Sequence, residues 1–161
     1  MQRTGEAVPI VDNLPIDSTN EYAPVSISQS GILVYTSGGL ARSGTQFAWY
    51  DRGEKLLDTV GAPGRDLVPA ISPDGNLVSF MRPASSGADL WLWDVKRRFE
   101  RRLTTDPSVN RMAVWSPQSD RIVFASNRTG GVFDLYQRTA SAPGKDELLY
   151  ADGKNKPKSG S

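Results

Sequence analysis

Histidine and cysteine are both absent from the 161 residues, and together these absences remove most of the side-chain chemistry by which a small domain can act as an enzyme. Imidazole is the usual general base, the usual activator of serine and the commonest metal ligand. Without it no Ser-His-Asp triad can be assembled from this chain alone. Lack of cysteine excludes disulfides, thiolate metal sites and thiol nucleophiles, while leaving the compartment open. An excess of one charge is missing too: 19 basic and 18 acidic residues leave a net charge of +1, so nothing draws the chain as a whole toward nucleic acid or a membrane surface. No apolar run approaches the ~20 residues that span a bilayer. The start, Met1-Gln2-Arg3-Thr4-Gly5-Glu6-Ala7-Val8-Pro9, lacks the apolar centre of a secretory signal. Localisation is therefore unassigned, with the cytoplasm as the default and the periplasm open if the sequence belongs to a larger exported or membrane protein.

What the sequence does contain is a repeated corner. Ile71-Ser72-Pro73-Asp74-Gly75-Asn76-Leu77-Val78-Ser79-Phe80 ends one strand, turns, and begins another. Pro73 fixes φ for the turn, Asp74 can bond the backbone ahead of it, and Gly75 accepts positive φ at little cost. The corner recurs around Ser28 and Ser116, so three serines stand at two identical intervals of 44 residues. A period of about 40 to 45 residues filled with short strands is the signature of four-stranded propeller blades.

Read in order, the chain divides into an orphan strand and linker at 1–21, three blades at 22–64, 65–108 and 109–152, and a polar tail at 153–161 that starts a further blade. The strands are expected at 23–28, 31–36, 46–51 and 55–60, then at 67–72, 76–82, 88–95 and 99–104, and finally at 111–116, 121–127, 132–138 and 147–151. Gly61-Ala62-Pro63-Gly64 is expected to stop the fourth of these. Leu90-Trp91-Leu92-Trp93 is apolar on both faces, as suits a strand sandwiched between blades, and core packing is the favoured reading of both tryptophans. Asp89-Leu90-Trp91 and Asp134-Leu135-Tyr136 lie 45 residues apart, as do Leu103 and Leu148.

With these residues in place the sequence resembles the TolB-like, WD-repeat-like β-propeller family. The motif positions are Ser28, then Ser72, Pro73, Asp74, Gly75, Phe80, Asp89 and Trp91, with Ser116, Pro117, Phe124, Asp134 and Tyr136 as counterparts. More narrowly, the chain resembles the propeller segment of bacterial serine/threonine protein kinases. The resemblance implies an all-β fold of about three four-stranded antiparallel blades. Gln29-Ser30 and Gln118-Ser119-Asp120 depart from the Pro-Asp-Gly pattern and are expected to loosen those turns. Closed propellers have about 4 to 8 blades. Three blades alone would leave two faces wet, each forfeiting on the order of 10 kcal/mol if it carries roughly 500 Å² of apolar surface. Remaining blades or self-association are therefore needed to close the structure.

Chemistry is sparse. Gly39-Leu40-Ala41-Arg42-Ser43-Gly44-Thr45 has the glycines of a phosphate loop without its lysine or helix, and reads as a blade loop. There is no G-x-S-x-G elbow and no S-x-x-K pair. Asp51, Asp89, Asp94 and Asp134 recur near third strands and could in principle meet at one rim, but capping strand ends is the simpler role. Lys96-Arg97-Arg98-Phe99-Glu100-Arg101-Arg102 is better read as a solvated hairpin than as a nucleic-acid patch. Asn127-Arg128-Thr129 reads as a turn and not a glycosylation site. The expectation is a non-catalytic module, without cofactor or metal, that presents loops around Arg42, Arg65, Arg82, Arg97 and Arg128 to a protein or peptide partner. The alternative is an accessory propeller of a multidomain kinase or, less favoured, of a prolyl oligopeptidase-like hydrolase.

Overall fold

A computed structural model describes residues 25–29, 33–37, 45–51, 55–141 and 144–151. The orphan strand expected at 7–11, the loop bearing Arg42, and the tail from 152 onward lie outside them. Among the described residues there are twelve strands and no helix. They are β1 (Val25–Ile27), β2 (Leu33–Ser37), β3 (Thr45–Tyr50) and β4 (Leu56–Gly64); β5 (Leu67–Ile71), β6 (Leu77–Ala84), β7 (Gly87–Asp94) and β8 (Phe99–Arg102); β9 (Asn110–Trp115), β10 (Arg121–Ser126), β11 (Asp134–Thr139) and β12 (Glu147–Tyr150). Each group of four forms one antiparallel sheet in chain order. The first strands β1, β5 and β9 touch one another in succession, so the sheets stand radially, inner strands together and fourth strands outward. This is the arrangement of three propeller blades.

Strand alternation decides what fills the space between blades. In β7 the leucines face the third sheet: Leu90 and Leu92 join Leu103 in a cluster with Ala113, Ile122, Phe124 and Tyr136. The tryptophans face the other way, where Trp91 and Trp93 pack against a cluster of Val34, Phe47, Trp49 and Val60 from the first sheet with Ile71, Val78 and Phe80 from the second. Phe47 and Phe80 meet edge to face across this junction at 5.8 Å. Innermost, the blades are tied by polar contacts: the Ile71 amide donates to Ser26 Oγ (3.0 Å), and Trp115 Nε1 donates to the Ala70 carbonyl (2.9 Å).

The repeated corner works as its residues require. Ser72 Oγ donates to Asp74 Oδ1 (2.6 Å) and accepts from the Leu77 amide (2.9 Å). The Gly75 amide donates to the Ser72 carbonyl with Gly75 at φ +73°. In the third blade the turn is rewired and not loosened. Ser119 takes the positive φ (+62°) in place of Gly75, and Asp120, at the position of Asn76, accepts the Ser116 hydroxyl at 2.7 Å. Moving the carboxylate two positions along leaves the serine with an acceptor.

Two further expectations are corrected. β4 does not stop at Gly61: it continues to Gly64 through a bulge, because Gly61 adopts φ +65° and the register slips between Phe47↔Val60 and Thr45↔Gly64. Leu103 and Leu148 are not equivalent. Leu148 pairs opposite Tyr136, as Arg102 does opposite Trp91, and Leu148 is 56% exposed where Leu103 is 3%. The first corner also differs. Ile27 pairs with Leu33, six residues on, whereas Ile71 pairs with Val78 and Trp115 with Ile122, seven residues on. One residue fewer in the turn reverses the facing of the strand beyond it, which is why Val34 faces the second blade although Val78 faces the first.

Replacing the wholly buried Ser72 by alanine removes both bonds and leaves the Leu77 amide without its side-chain acceptor. Ser72→Ala is expected to cost about 1 to 2 kcal/mol, read as a lower urea midpoint at unchanged slope. Burial alone would raise the Asp74 pKa, but donors from Ser72, Asn76 and Ser119 outweigh it and hold it below its usual value. A depressed folded value means that the contribution is present above the unfolded carboxylate range and lost as pH falls through the folded value. The stability gap between the unaltered chain and Asp74→Ala is therefore expected to narrow between about pH 5 and pH 2, measured by denaturation across that range.

Candidate functional site

Two arginines expected at exposed loop tips are instead parts of the blades. Arg82, on β6, lies over the rings of Trp91 (4.4 Å) and Phe80 (5.2 Å). Its Nε meets Asp66 at 2.7 Å and its Nη2 meets Glu100 at 3.0 Å. Those hydrogen bonds, Asp66 first and then Glu100, raise its pKa further above the ordinary arginine value. Arg128, in the β10–β11 loop, repeats the device over Tyr136 (4.2 Å) and Phe124 (5.7 Å). It pairs with Asp146 at 2.6 Å and Asp106 at 3.0 Å, and bonds Ser126 and Asn110. Asp146 also meets Arg138 at 2.6 Å. In the second and third blades an acid near the outer strand, a guanidinium and two aromatic faces make one clasp.

The other arginines separate. Arg65 is exposed on the β4–β5 connection. Arg97 is in the β7–β8 turn at the opposite rim, its side chain 83% exposed and 3.6 Å from Asp94. The basic run divides among structural contacts: Arg98 pairs with Asp58 of the first blade, Arg102 with Asp89 (2.6 Å), and Arg101 donates to the Ala140 carbonyl of the third. The aspartates do not meet. Asp89 and Asp94 sit toward opposite ends of β7, about 16 Å apart at ~3.3 Å per residue. Each has local work: Asp89 accepts the Thr104 hydroxyl (3.2 Å), Asp94 the Arg97 amide (2.8 Å), Asp51 the Lys55 amide (3.0 Å), and Asp134 the Thr129 hydroxyl. Among the described residues no group of histidine, cysteine, aspartate and glutamate could hold a metal. The motif residues Phe80, Phe124 and Tyr136 are core, and Pro73 and Pro117 lie in the corner turns.

A cleft of about 300 Å³ opens at the rim that carries the β6–β7, β8–β9 and β10–β11 loops, between the second and third blades. Ser86, Asp106, Pro107, Ser108, Asn127, Arg128 and Gly130 line it. Its walls are fixed by backbone: the Ala88 amide donates to the Ser108 carbonyl (3.1 Å), and Asn127 Oδ1 accepts the Val109 amide (2.8 Å). Gly87, at φ +152°, makes this approach possible, since a Cβ there would lie 2.2 Å from the Ser108 carbonyl oxygen. Sequence reasoning passed over Gly87, Asp106 and Asp146. A glycine ending Ser85-Ser86-Gly87 is the one signal that a close approach was needed.

Radial four-stranded antiparallel sheets joined through their inner strands define a partial β-propeller. No family model matches the sequence. Among solved structures, TolB from Acinetobacter baumannii is similar with a TM-score of 0.67 at 19% identity, over 80% of this chain and 32% of that one. A TolB-type structure from Agrobacterium tumefaciens is similar at 0.64 and 19%, over 78% of this chain and 47% of the other. The propeller domain of the trilobed protease from Pyrococcus furiosus, which has an open velcro topology, gives 0.56 at 13%, over 78% and 41%. The fold is thus a TolB-like propeller, and the chain spans less than half the length of each of these proteins.

Removing Arg128 would leave Asp106 and Asp146 facing across the clasp. With its side chain 22% exposed, Arg128→Ala is expected to cost about 2 to 3 kcal/mol. Arg97→Ala should stay within about 0.5 kcal/mol, both read by urea denaturation.

Proposed function

We propose that the chain is a non-catalytic propeller module for protein–protein interaction or sensing, and that the cleft between the second and third blades receives an extended segment of a protein or peptide partner. One observation carries this: the two rims are built differently. At the rim of the corner turns, the β5–β6 and β9–β10 turns are each closed by their own serine and carboxylate. The cleft is flanked by the β8–β9 and β10–β11 loops, and nothing lies within 4 Å of where a Cβ would stand on Gly130 or Gly131 in the second of these. About 300 Å³ is at the small end of ligand pockets, enough for one or two side chains of an extended segment. Ser86 and the backbone around Pro107 offer groups that can meet peptide amides, while the Ser108 hydroxyl and the arginine there are already engaged. The chemistry favours a neutral polar segment over a strongly acidic one.

A second reading rests on the propeller domain found within the trilobed protease: the chain would be the accessory propeller of a multidomain enzyme, kinase or hydrolase, with chemistry on a neighbouring domain. A lysine-bearing glycine-loop domain encoded upstream would favour the kinase. A serine elbow with a histidine downstream would favour the hydrolase.

The interaction reading is tested by selecting ligands from a phage-displayed peptide library on the immobilised chain and titrating them against two variants. Ser86→Trp, which fills the cleft, should weaken binding by about tenfold or more, while Arg97→Ala on the opposite rim should leave it unchanged. Ligands indifferent to Ser86→Trp, or a library that yields none, would defeat the proposal.

A further inference from the structure

Two arginines enter the junction between the second and third blades from opposite sides. Arg101, paired with Leu92 across β7 and β8, reaches the Ala140 carbonyl of the third blade. Arg138, paired with Ile122 across β10 and β11, reaches back to the Leu103 carbonyl of the second. Both stand in the outer part of the junction, since β8 is the outer strand of its sheet and β11 adjoins the outer strand of the other. Their charges act on each other. Burial first, and then Arg138, hold the Arg101 guanidinium below its ordinary pKa against the opposing pull of Asp94.

The arginines of this structure are not compensated alike. Arg82 and Arg128 each meet two carboxylates, and Arg138 has Asp146 at 2.6 Å. Among the described residues half-buried Arg101 has no carboxylate partner and commits one donor, to the Ala140 carbonyl. The acid that acts on it from a distance, Asp94, is taken up by Arg97 at 3.6 Å. A neutral donor would serve the Ala140 carbonyl without setting one positive charge beside another, and groups held against such a cost collect at binding positions. We propose that Arg101 and Arg138, converging from opposite blades on the outer part of this junction, form a site for a phosphate group. The planar fork of Arg101 suits bidentate contact with phosphate oxygens, and Arg138 adds a second positive charge. Exposed Lys96 and Arg97, in the turn of the same β7–β8 hairpin, draw an anion toward it. Strand alternation places Phe99, 60% exposed, on the Arg101 side of β8, where its ring offers a wall to the organic part of a phosphate ester. The site shares no residue with the cleft.

The test is calorimetric titration of the 161-residue chain at fixed ionic strength with inorganic phosphate, a phosphoserine peptide and the same peptide unphosphorylated. Phosphate-dependent binding is expected. A phosphopeptide bound about tenfold or more tightly than inorganic phosphate would assign the group to a phosphorylated partner, and a smaller difference to free phosphate. Arg101→Gln, which keeps a donor for the Ala140 carbonyl, should abolish binding, with its urea midpoint as the fold control. Arg98→Gln, which alters the neighbouring arginine paired with Asp58, should preserve it. Binding of neither phosphate, equal binding of the two peptides, or equal binding by Arg101→Gln and the unaltered chain would overturn the inference. Ser86→Trp should leave phosphate binding unchanged, so the result stands apart from peptide capture in the cleft.

Discussion

A four-stranded sheet one residue layer thick has no interior, and this constraint governs everything else in the molecule. Each blade can bury its side chains only against the next, so both faces of a middle blade must be apolar and must be apolar differently. β7 meets the demand with leucines toward one neighbour and tryptophans toward the other. Alternation therefore has to be held in register through every turn, since a slip of one residue exchanges the faces. The serine corner is the device that holds it. In the second and third blades its hydroxyl bonds an amide on the far side of the turn as well as a carboxylate inside it.

The arginine clasps answer a related problem at the cleft rim. There the aromatic pairs Phe80 with Trp91, and Phe124 with Tyr136, lie beneath Arg82 and Arg128 at the edge of the core. A guanidinium laid across each pair covers apolar surface while its donors stay satisfied by carboxylates from the outer strand and the inner connection. The charge is thus employed in holding inner strand to outer strand, which is why neither arginine is available as a loop-tip contact.

How far the sequence revealed this depends on the distance over which each feature is determined. Strands and corners are local: Ser72-Pro73-Asp74-Gly75 specifies its turn within four residues, and Leu90-Trp91-Leu92-Trp93 declares a strand with two buried faces. The clasps are not local. Arg82 finds Asp66 and Glu100 at separations of 16 and 18 residues, so its sequence neighbours present it as an ordinary surface arginine. The cleft was hidden for the same reason, because Gly87 owes its identity to the Ser108 carbonyl, which belongs to another connection. The shortened first turn escaped because the spacing of serines stays at 44 residues while the pairing beyond Ser28 changes.

The inner strands show what the blades give up in return for their ties. Val68 and Met112, 44 residues apart and in corresponding strands, both adopt left-handed backbone, at φ +55° and +56°. A β-branched residue in that region is strained by about 1 to 3 kcal/mol, and chance does not place the same strain at the same step of two repeats. In each case the register shifts beside the strained residue. In the second blade the shift is followed by Ala70, whose carbonyl receives both Ser79 Oγ (3.2 Å) and Trp115 Nε1 of the third blade (2.9 Å). The bulge thus coincides with the point where one inner strand is tied to the next. Buried Pro69, adjoining Val68, fixes its own φ on the far side of the bend. Strain in the inner strand is offset by bonds that join blade to blade, which makes the axis, and not the sheet interior, the place where the repeats become one structure.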